Sequence, residues 1–262
     1  MPLPYTDLPP DIECVLRGRE WTAVQIGMSR AAVHRFEGGL YLKSVRLNPV
    51  DHCYGNLKVE KERLEWLQGI VNVPEVVAFA TDADRDYLVT TEMPGQNAAI
   101  AVLSVDAIER VIESIAAACL QLHSVAIGDC PFHTSSQLLI EDARFRLDAG
   151  LVDCNDFDEA RLGRDPHELL DELIAQRPSG DDLVLTHGDL CLPNIIVRDE
   201  RVSALVDVGR AAVSDRWHDL ALCARSIASN WSDDAAATFL RAYGADEHDA
   251  KRKFYVLLDE FF

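Results

Sequence analysis

An aspartate, an asparagine and a second aspartate occur in an order that suits phosphoryl transfer. Asp189 lies five residues before Asn194 in the segment THGDLCLPN, and Asp207 follows further along the chain. A carboxylate can orient an attacking hydroxyl and accept its proton, while carboxylate and amide oxygens are ligands that Mg²⁺ accepts beside phosphates. We therefore predict that Asp189 is the catalytic base and that Asn194 and Asp207 are the magnesium ligands.

The same residue types also cap turns, which is a structural alternative for both Asp189 and Asn194. That alternative leaves the ordered spacing of the three residues unexplained, so the catalytic interpretation is preferred. Two histidines, His187 in the same segment and His123 on a predicted helix, are interpreted as packing and hydrogen-bonding residues.

A second candidate is Lys43, which stands between apolar neighbours in the middle of a predicted strand. A lysine in this setting can bind phosphate oxygens if a carboxylate on the following helix holds it in place. Glu60 is the best candidate for that carboxylate, and Glu62 is the alternative. Taken alone, a strand lysine is more often a solvated side chain, and it is the downstream Asp–Asn–Asp set that favours function.

The elements that must position these residues follow from the apolar periodicity. Alternating segments around Gly38-Gly39 and before Pro94-Gly95 predict strands, and one helix starts near Leu57. Pro94-Gly95 interrupts this pattern. Beyond it a long helix is predicted from Asp106 to His123, followed by further helices and a few short strands. This pattern predicts an α+β fold with two lobes, in which a small β-rich lobe (1–93) and a larger, mainly helical lobe (94–262) meet at a hinge near 91–97. A cleft between lobes is a natural ligand site.

Composition excludes several classes of protein. The 262 residues carry 44 acidic and 25 basic side chains, a formal net charge of −19, which disfavours binding to nucleic acid or anionic membranes and favours a cationic ligand. No apolar run is long enough to span a membrane, and the N-terminal segment lacks a signal-peptide pattern. The seven cysteines form no C-x-x-C pair. These features predict a cytoplasmic protein without a zinc site or a disulfide framework.

Several segments resemble the aminoglycoside 3'-phosphotransferases, also called kanamycin kinases. HGDLCLPNIIV, VDVGRAAVSDRWHDLAL, DYLVTTEMPG, GLVDCNDFDE and the terminal LLDEFF occur in the family's order over nearly the whole chain. HGD-x4-N and D-x-G-R are shared with wider kinase-like families, whereas GLVD-x-x-D-x-D and LDEFF are narrower. The resemblance implies a protein-kinase-like fold and transfer of the γ-phosphate of ATP, with GTP as the alternative donor, to the 3'-hydroxyl of kanamycin- or neomycin-type drugs. Such a reaction would confer antibiotic resistance.

The resemblance also implies roles for individual residues. Lys43, Glu60, Asp189, Asn194 and Asp207 match the family's catalytic and nucleotide-binding positions, and backbone groups of Thr91 and Met93 would hydrogen-bond the adenine. The implied drug-binding residues are Asp156, Asp158, Glu159, Arg210, Arg225, Asp259, Glu260 and the terminal carboxylate of Phe262. An acid cluster at 153–159 is also physically suited to a polycation, although by itself such a cluster would be read as a solvated turn.

The chain departs from the family pattern in two places. The nucleotide loop Gly27–Ala31 has a single glycine, and Ser29 is the candidate phosphate contact there. Ser226 and Ser229 stand where some family members carry drug-contacting acids, which leaves the substrate range open. Two alternatives remain: a kinase of another small hydroxylated amine or metabolite, and a nucleotide-binding pseudokinase. The oligomeric state stays open between a monomer and a homodimer.

Overall fold

The computed structural model describes residues 8–24, 31–48, 56–101, 104–245 and 249–262. These residues form two compact units. The first unit runs to Ile100 and also includes Pro193–Asp199 and Ser203–Gly209, while the second includes Ala101–Leu192, Glu200–Val202 and Arg210–Phe262. Two short segments from late in the chain therefore belong to the first unit. The division into functional lobes at residue 93 stays a prediction.

The first unit is built on an antiparallel sheet of five strands in the order β1-β2-β3-β5-β4. Its elements are α1 (Pro10–Leu16), β1 (Trp21–Val24), β2 (Ala32–Phe36), β3 (Leu40–Arg46), α2 (Leu57–Leu67), β4 (Val76–Thr81), β5 (Arg85–Thr91) and β6 (Gln96–Asn97). A core of Ile12 and Leu16 from α1 with Phe36, Leu42 and Val89 from the sheet is fully buried. The alternation along β2 and β3 thus places one apolar face inward, whereas β5 is buried at four consecutive residues.

Two local features confirm the predicted hairpin and helix of this unit. Gly38 and Gly39 connect β2 to β3 with φ values of 87° and 72°, a left-handed backbone that residues with a Cβ rarely adopt. The side chain of Asn56 accepts hydrogen bonds from the amides of Lys58 and Val59, which caps α2 at the predicted start.

The second unit is mainly helical. The chain continues with α3 (Val105–His123), α4 (Ser136–Asp148), α5 (Pro166–Ala175), β7 (Leu183–Thr186), β8 (Ile195–Arg198), β9 (Arg201–Leu205), β10 (Ala212–Asp215), α6 (Trp217–Asn230), α7 (Asp233–Tyr243) and α8 (Asp249–Asp259). In this unit a two-stranded sheet pairs β7 with β10. The three-stranded sheet has the order β6-β8-β9, and β6, β8 and the last three residues of β9 belong to the first unit. Every helix predicted after residue 104 is present.

Helix α6 lies at the centre of the second unit. Its residues from Trp217 to Ala224 are all buried, and both α7 and α8 pack against it. A helix that is buried on most sides is held by packing rather than by its own propensity. Within the described residues, no helix has the length and apolar character needed to cross a bilayer.

Candidate active site

Lys43 in the first unit stands between two carboxylates, and we call Lys43, Glu60 and Asp207 the lysine cluster. The ammonium of Lys43 lies 2.9 Å from Oε2 of Glu60 and also pairs with Oδ1 of Asp207. Burial disfavours the charged ammonium, but the carboxylates of Asp207 and Glu60 outweigh that effect and hold the pKa of Lys43 above its usual value. The lysine therefore stays charged and ready for an anionic ligand.

The local sequence explains why Lys43 meets Glu60 and not Glu62. Glu60 lies in the first turn of α2 and is buried, whereas Glu62 is exposed. Since residues two apart on a helix point in different directions, only one of the pair can face β3. The preferred partner of the sequence analysis is thus the one that contacts Lys43.

Asn194 and Asp207, the predicted metal ligands, lie on adjacent backbone segments of the first unit. The amide of Val206 donates to the carbonyl oxygen of Asn194 at 3.0 Å. Asp207, the next residue in the chain, therefore lies close to Asn194. Asp207 has a left-handed backbone with φ 61°, and its side chain is 44% exposed. One carboxylate and one amide fit Mg²⁺, which takes few protein ligands and completes its shell with phosphate oxygens and water.

The predicted adenine contacts lie at the end of β5: Thr91 is its last residue, and Met93 is two residues further on. The amide of Thr91 donates to the carbonyl of Glu75 at 3.0 Å, and the hydroxyl of Thr91 accepts the amide of Glu75 at 2.9 Å. A depression of about 520 Å³ adjoins this segment, lined by Gln68 to Val73, Glu75 and Thr91 to Pro94. No member of the lysine cluster lines it, so phosphate chemistry is not assigned there. Ser29 lies outside the described residues.

The segment His187–Asn194, which we call the catalytic loop, carries Asp189 and leaves the second unit's two-stranded sheet at Thr186. Thr186 pairs with Ala212, which brings the start of the loop beside Arg210. Gly188 has φ 79°, and a Cβ at this position would collide with the Arg210 carbonyl. Glycine is therefore required by both the backbone conformation and the close approach. Asp189 itself is partly exposed.

A buried carboxylate that the sequence analysis did not single out anchors this loop. Asp219 of α6 accepts hydrogen bonds from the amides of His187 at 2.8 Å and Gly188 at 2.9 Å. It also bonds Nε2 of His123 at 3.1 Å, and Nδ1 of that ring lies 2.8 Å from the hydroxyl of Tyr243. His123 is a buried structural residue, as predicted. Asp219 lies in the segment WHDLAL, which is part of the longer stretch that resembles the family. That resemblance was the sequence signal that could have identified it.

Acidic residues from two distant parts of the chain meet in the second unit, and we call Asp156, Asp158, Asp259 and Glu260 the acidic cluster. Asp259 pairs with Arg225 and, at 3.4 Å, with Arg210. The amide of Asp158 donates to Oε2 of Glu260 at 3.0 Å. The predicted drug-binding acids at 156–158 and 259–260 therefore lie together although about 100 residues separate them.

Arg161, which the sequence analysis missed, bridges two members of the acidic cluster. One nitrogen of its guanidinium lies 3.0 Å from Oδ2 of Asp158 and 2.8 Å from Oε1 of Glu260. Its spacing of three residues from Asp158 was a weak signal, since such pairs are common on any turn or helix. Glu159 is exposed, and no ion pair to it is found within the described residues.

The pKa values of Asp156, Asp259 and Glu260 are shifted in different directions. Burial opposes ionisation of Asp259, but Arg225 and Arg210 outweigh it and lower its pKa. Burial raises the pKa of Glu260 to about 6, assisted by the charge of Asp158 and opposed by Arg161. Burial and the neighbouring aspartates also raise the pKa of Asp156. The acidic cluster thus has four carboxylates against three arginine partners, Arg161, Arg210 and Arg225.

The chain end is fixed beside the acidic cluster. Phe254, Leu257, Leu258 and Phe261 are buried, so α8 docks its apolar face as its spacing predicts. Arg146 donates to the carbonyl of Phe261 at 2.7 Å, and the guanidinium groups of Arg146 and Arg210 each lie 5.4 Å from the ring centroid of Phe262.

Comparison with known proteins gives a consistent result. The model of the phosphotransferase enzyme family matches residues 24–255. An aminoglycoside 3'-phosphotransferase of Streptomyces fradiae is 38% identical over 93% of this chain and 95% of its own length. One from Escherichia coli is 30% identical over 96% of this chain and 94% of its own length.

Solved structures agree with these relatives. The crystal structure of an aminoglycoside 3'-phosphotransferase of type VIII is 36% identical, covers 96% of both chains and superposes with a TM-score of 0.86. Aminoglycoside phosphotransferase APH(3'')-Id of Streptomyces rimosus, in complex with ADP and streptomycin, is 28% identical, covers 96% of both chains and has a TM-score of 0.81. The predicted α+β, protein-kinase-like fold is confirmed. The chain belongs to the phosphotransferase enzyme family, among the aminoglycoside 3'-phosphotransferases.

Proposed function

We propose that this protein transfers the γ-phosphate of ATP to the 3'-hydroxyl of kanamycin- or neomycin-type aminoglycosides, and that it thereby confers resistance to them. The observation that carries the proposal is the lysine cluster, in which Lys43 is charged and lies between Glu60 and Asp207. A phosphate-binding lysine fixed by a carboxylate beside a metal-binding aspartate is the arrangement that phosphoryl transfer requires.

The nucleotide would be held mainly by the first unit. Lys43 would bind phosphate oxygens while Glu60 keeps its ammonium in place, and Asp207 would exchange its lysine partner for the metal. Asn194 and Asp207 would hold Mg²⁺, which when bound neutralises charge on the phosphates. The backbone groups of Thr91 and Met93 would bind the adenine.

The acceptor would be held by the acidic cluster. Carboxylates such as Asp156, Asp158 and Glu260 would accept charged hydrogen bonds from the ammonium groups of an aminoglycoside. The raised pKa values of Asp156 and Glu260 reflect desolvation and neighbouring negative charge, which a bound cation would relieve. Arg210 and Arg225 keep Asp259 ionised, and the terminal carboxylate of Phe262 would add another acceptor. The relative that was solved with streptomycin supports an aminoglycoside as the ligand class.

Asp189 would act as the base. Its carboxylate would orient the 3'-hydroxyl and take its proton while the oxygen forms a bond to the γ-phosphorus. The bond between the γ-phosphorus and the bridging oxygen breaks at the same time, and ADP leaves. The drug becomes a 3'-phosphate ester, and the proton passes from Asp189 to solvent.

The test is a steady-state assay with ATP and Mg²⁺, using kanamycin, an analogue lacking the 3'-hydroxyl, and streptomycin as acceptors. We expect ADP release and a phosphorylated product by mass spectrometry with kanamycin alone. Equal turnover of the analogue would exclude the 3'-hydroxyl as the acceptor, and turnover of streptomycin alone would assign another position. ATP and GTP are compared in the same assay.

The variant that tests the base is Asp189→Asn, which keeps the shape of the side chain but cannot accept a proton. We expect kcat to fall roughly a thousandfold while the dissociation constant of ATP stays unchanged. A variant that retains a tenth of the wild-type kcat would remove Asp189 from the proposed role. Absence of turnover with every aminoglycoside, despite ATP binding, would favour a pseudokinase or another acceptor.

A further inference from the structure

Helix α6 contacts the catalytic loop at two points that lie on either side of Asp189. Near the start of the helix, Asp219 accepts the amides of His187 and Gly188. Two turns later, the hydroxyl oxygen of Ser226 accepts the amide of Leu192 at 3.0 Å. Because positions seven apart in a helix share a face, one side of α6 holds the loop both before and after Asp189.

The span between these two contacts is itself tightly turned. The amide of Cys191 donates to the carbonyl of Asp189 at 2.9 Å, and the amide of Asp189 lies 3.3 Å from Nδ1 of His187. The side chains of Leu190 and Leu192 are buried. Because the chain is attached to α6 at His187–Gly188 and again at Leu192, the backbone of Asp189 between them has little freedom to shift.

We infer that Ser226 is a positioning residue for the proposed phosphoryl transfer, acting on Asp189 through the amide of Leu192. Its neighbour Arg225 pairs with Asp259 of the acidic cluster. Consecutive residues of α6 therefore fix the catalytic loop and one member of the acceptor site. Because Ser226 contacts the loop that carries the base and not the acidic cluster, loss of its contact should change catalysis more than binding.

The inference rests on the proposed function and is tested on the full-length protein. Ser226→Ala removes the acceptor of the Leu192 amide and leaves Arg225 in place. A base displaced by less than 1 Å reacts more slowly although the substrates still bind, so we expect kcat for kanamycin to fall about tenfold, with little change in the KM of either ATP or kanamycin. Ser226→Thr keeps a hydroxyl and should recover most of the lost kcat.

Ser232→Ala is the matched control. The hydroxyl of Ser232 accepts the amide of Ala235 at 3.1 Å, the same kind of bond, but it caps α7. This variant should lower the melting temperature and leave kcat unchanged. A general loss of stability would affect both variants alike, whereas a positioning role affects kcat only at Ser226.

Hydrogen exchange of the peptide covering residues 187–194 supplies a readout that is independent of turnover. We expect faster exchange in Ser226→Ala than in the wild type or Ser232→Ala. Unchanged exchange, or an unchanged kcat in Ser226→Ala beside an active wild type, would overturn the inference. If the wild type phosphorylates no aminoglycoside, the proposed function fails, while the exchange measurement still decides whether Ser226 holds the loop.

Discussion

The lysine cluster and the acidic cluster both join residues that are distant in the chain, but they differ in one pair. Lys43 and Glu60 are 17 positions apart, whereas Asp207 is 164 positions from Lys43 and Asp158 is 102 positions from Glu260. The lysine cluster has one cation between two carboxylates, and β3 and α2, which supply Lys43 and Glu60, follow each other closely in the chain. The acidic cluster joins a turn near residue 158 to the end of α8, through Arg161 and Arg225. Residues about 100 positions apart must be brought together to build it.

The difference indicates which site depends on the packing of the whole unit. Lys43 and Glu60 are fixed by a strand and the first turn of a capped helix, so their geometry is set within the sheet unit. Asp259 and Glu260 instead rely on the docking of α8 against the helices around it. Perturbations of the chain end should therefore alter acceptor binding and leave nucleotide binding intact.

Of the four perturbations that separate the two clusters, the largest effect is expected from a substitution in the lysine cluster. Asp207→Asn keeps the size and tolerates the left-handed backbone, but it removes the charge that would hold Mg²⁺. We expect kcat to fall about a hundredfold and the Mg²⁺ requirement to rise, with an unchanged KM for kanamycin. Asp199→Asn is the control, because Asp199 also has a left-handed backbone, with φ 50°. An unaltered Mg²⁺ dependence in Asp207→Asn would contradict the assignment.

A tail on the chain end tests the acidic cluster from the other side. Appending a short Gly-Ser segment after Phe262 keeps every side chain and removes only the terminal carboxylate from its position. If that carboxylate binds the drug, the loss of a charged hydrogen bond should raise the KM for kanamycin about tenfold and leave the KM for ATP unchanged. The same tail at the N-terminus serves as the control. Equal KM values for kanamycin would leave Asp259 and Glu260 as the ligands at this end.

Acidification should weaken drug binding through Glu260. Its pKa is raised to about 6, so its negative charge is present above that pH and is lost as the pH falls through it. We expect the KM for kanamycin to rise several-fold between about pH 7.5 and pH 5.5, although the drug itself gains protons over that range. Glu260→Gln, which does not titrate, should lack this step. A rise of the same size in the variant would assign the pH dependence to other groups.

Salt should have the smallest effect of the four. The formal net charge of −19 attracts a polycation over a distance that shrinks as salt shortens the screening length to about 3 Å at 1 M. We expect the KM for kanamycin to rise about threefold between low and high salt. A KM that stays constant would reduce the acidic surface to a role in solubility.

Short motifs were enough to identify the residues of the lysine cluster, but the contact between Lys43 and Asp207 was not predicted. A mid-strand lysine, an acid in the first turn of the next helix and an Asp–Asn–Asp order identify Lys43, Glu60 and Asp207, and the structure brings these three together. Arg161 and Asp219 were missed, because an arginine or an aspartate within a helix or turn reads as an ordinary polar residue. Their importance comes from partners that are distant in the chain.

The sequence alone predicted most of the strands and helices, although not α1 or β10, together with the catalytic residue types and the excess of negative charge. These features follow from periodicity, turn residues and motif spacing, which are local properties. Tertiary structure decided which acid pairs with Lys43, that Arg161 joins Asp158 to Glu260, and that Asp219 and Ser226 hold the catalytic loop. These contacts depend on which faces of α2, α6 and α8 turn inward when the apolar residues pack. That outcome is set by the whole core and not by any segment of it.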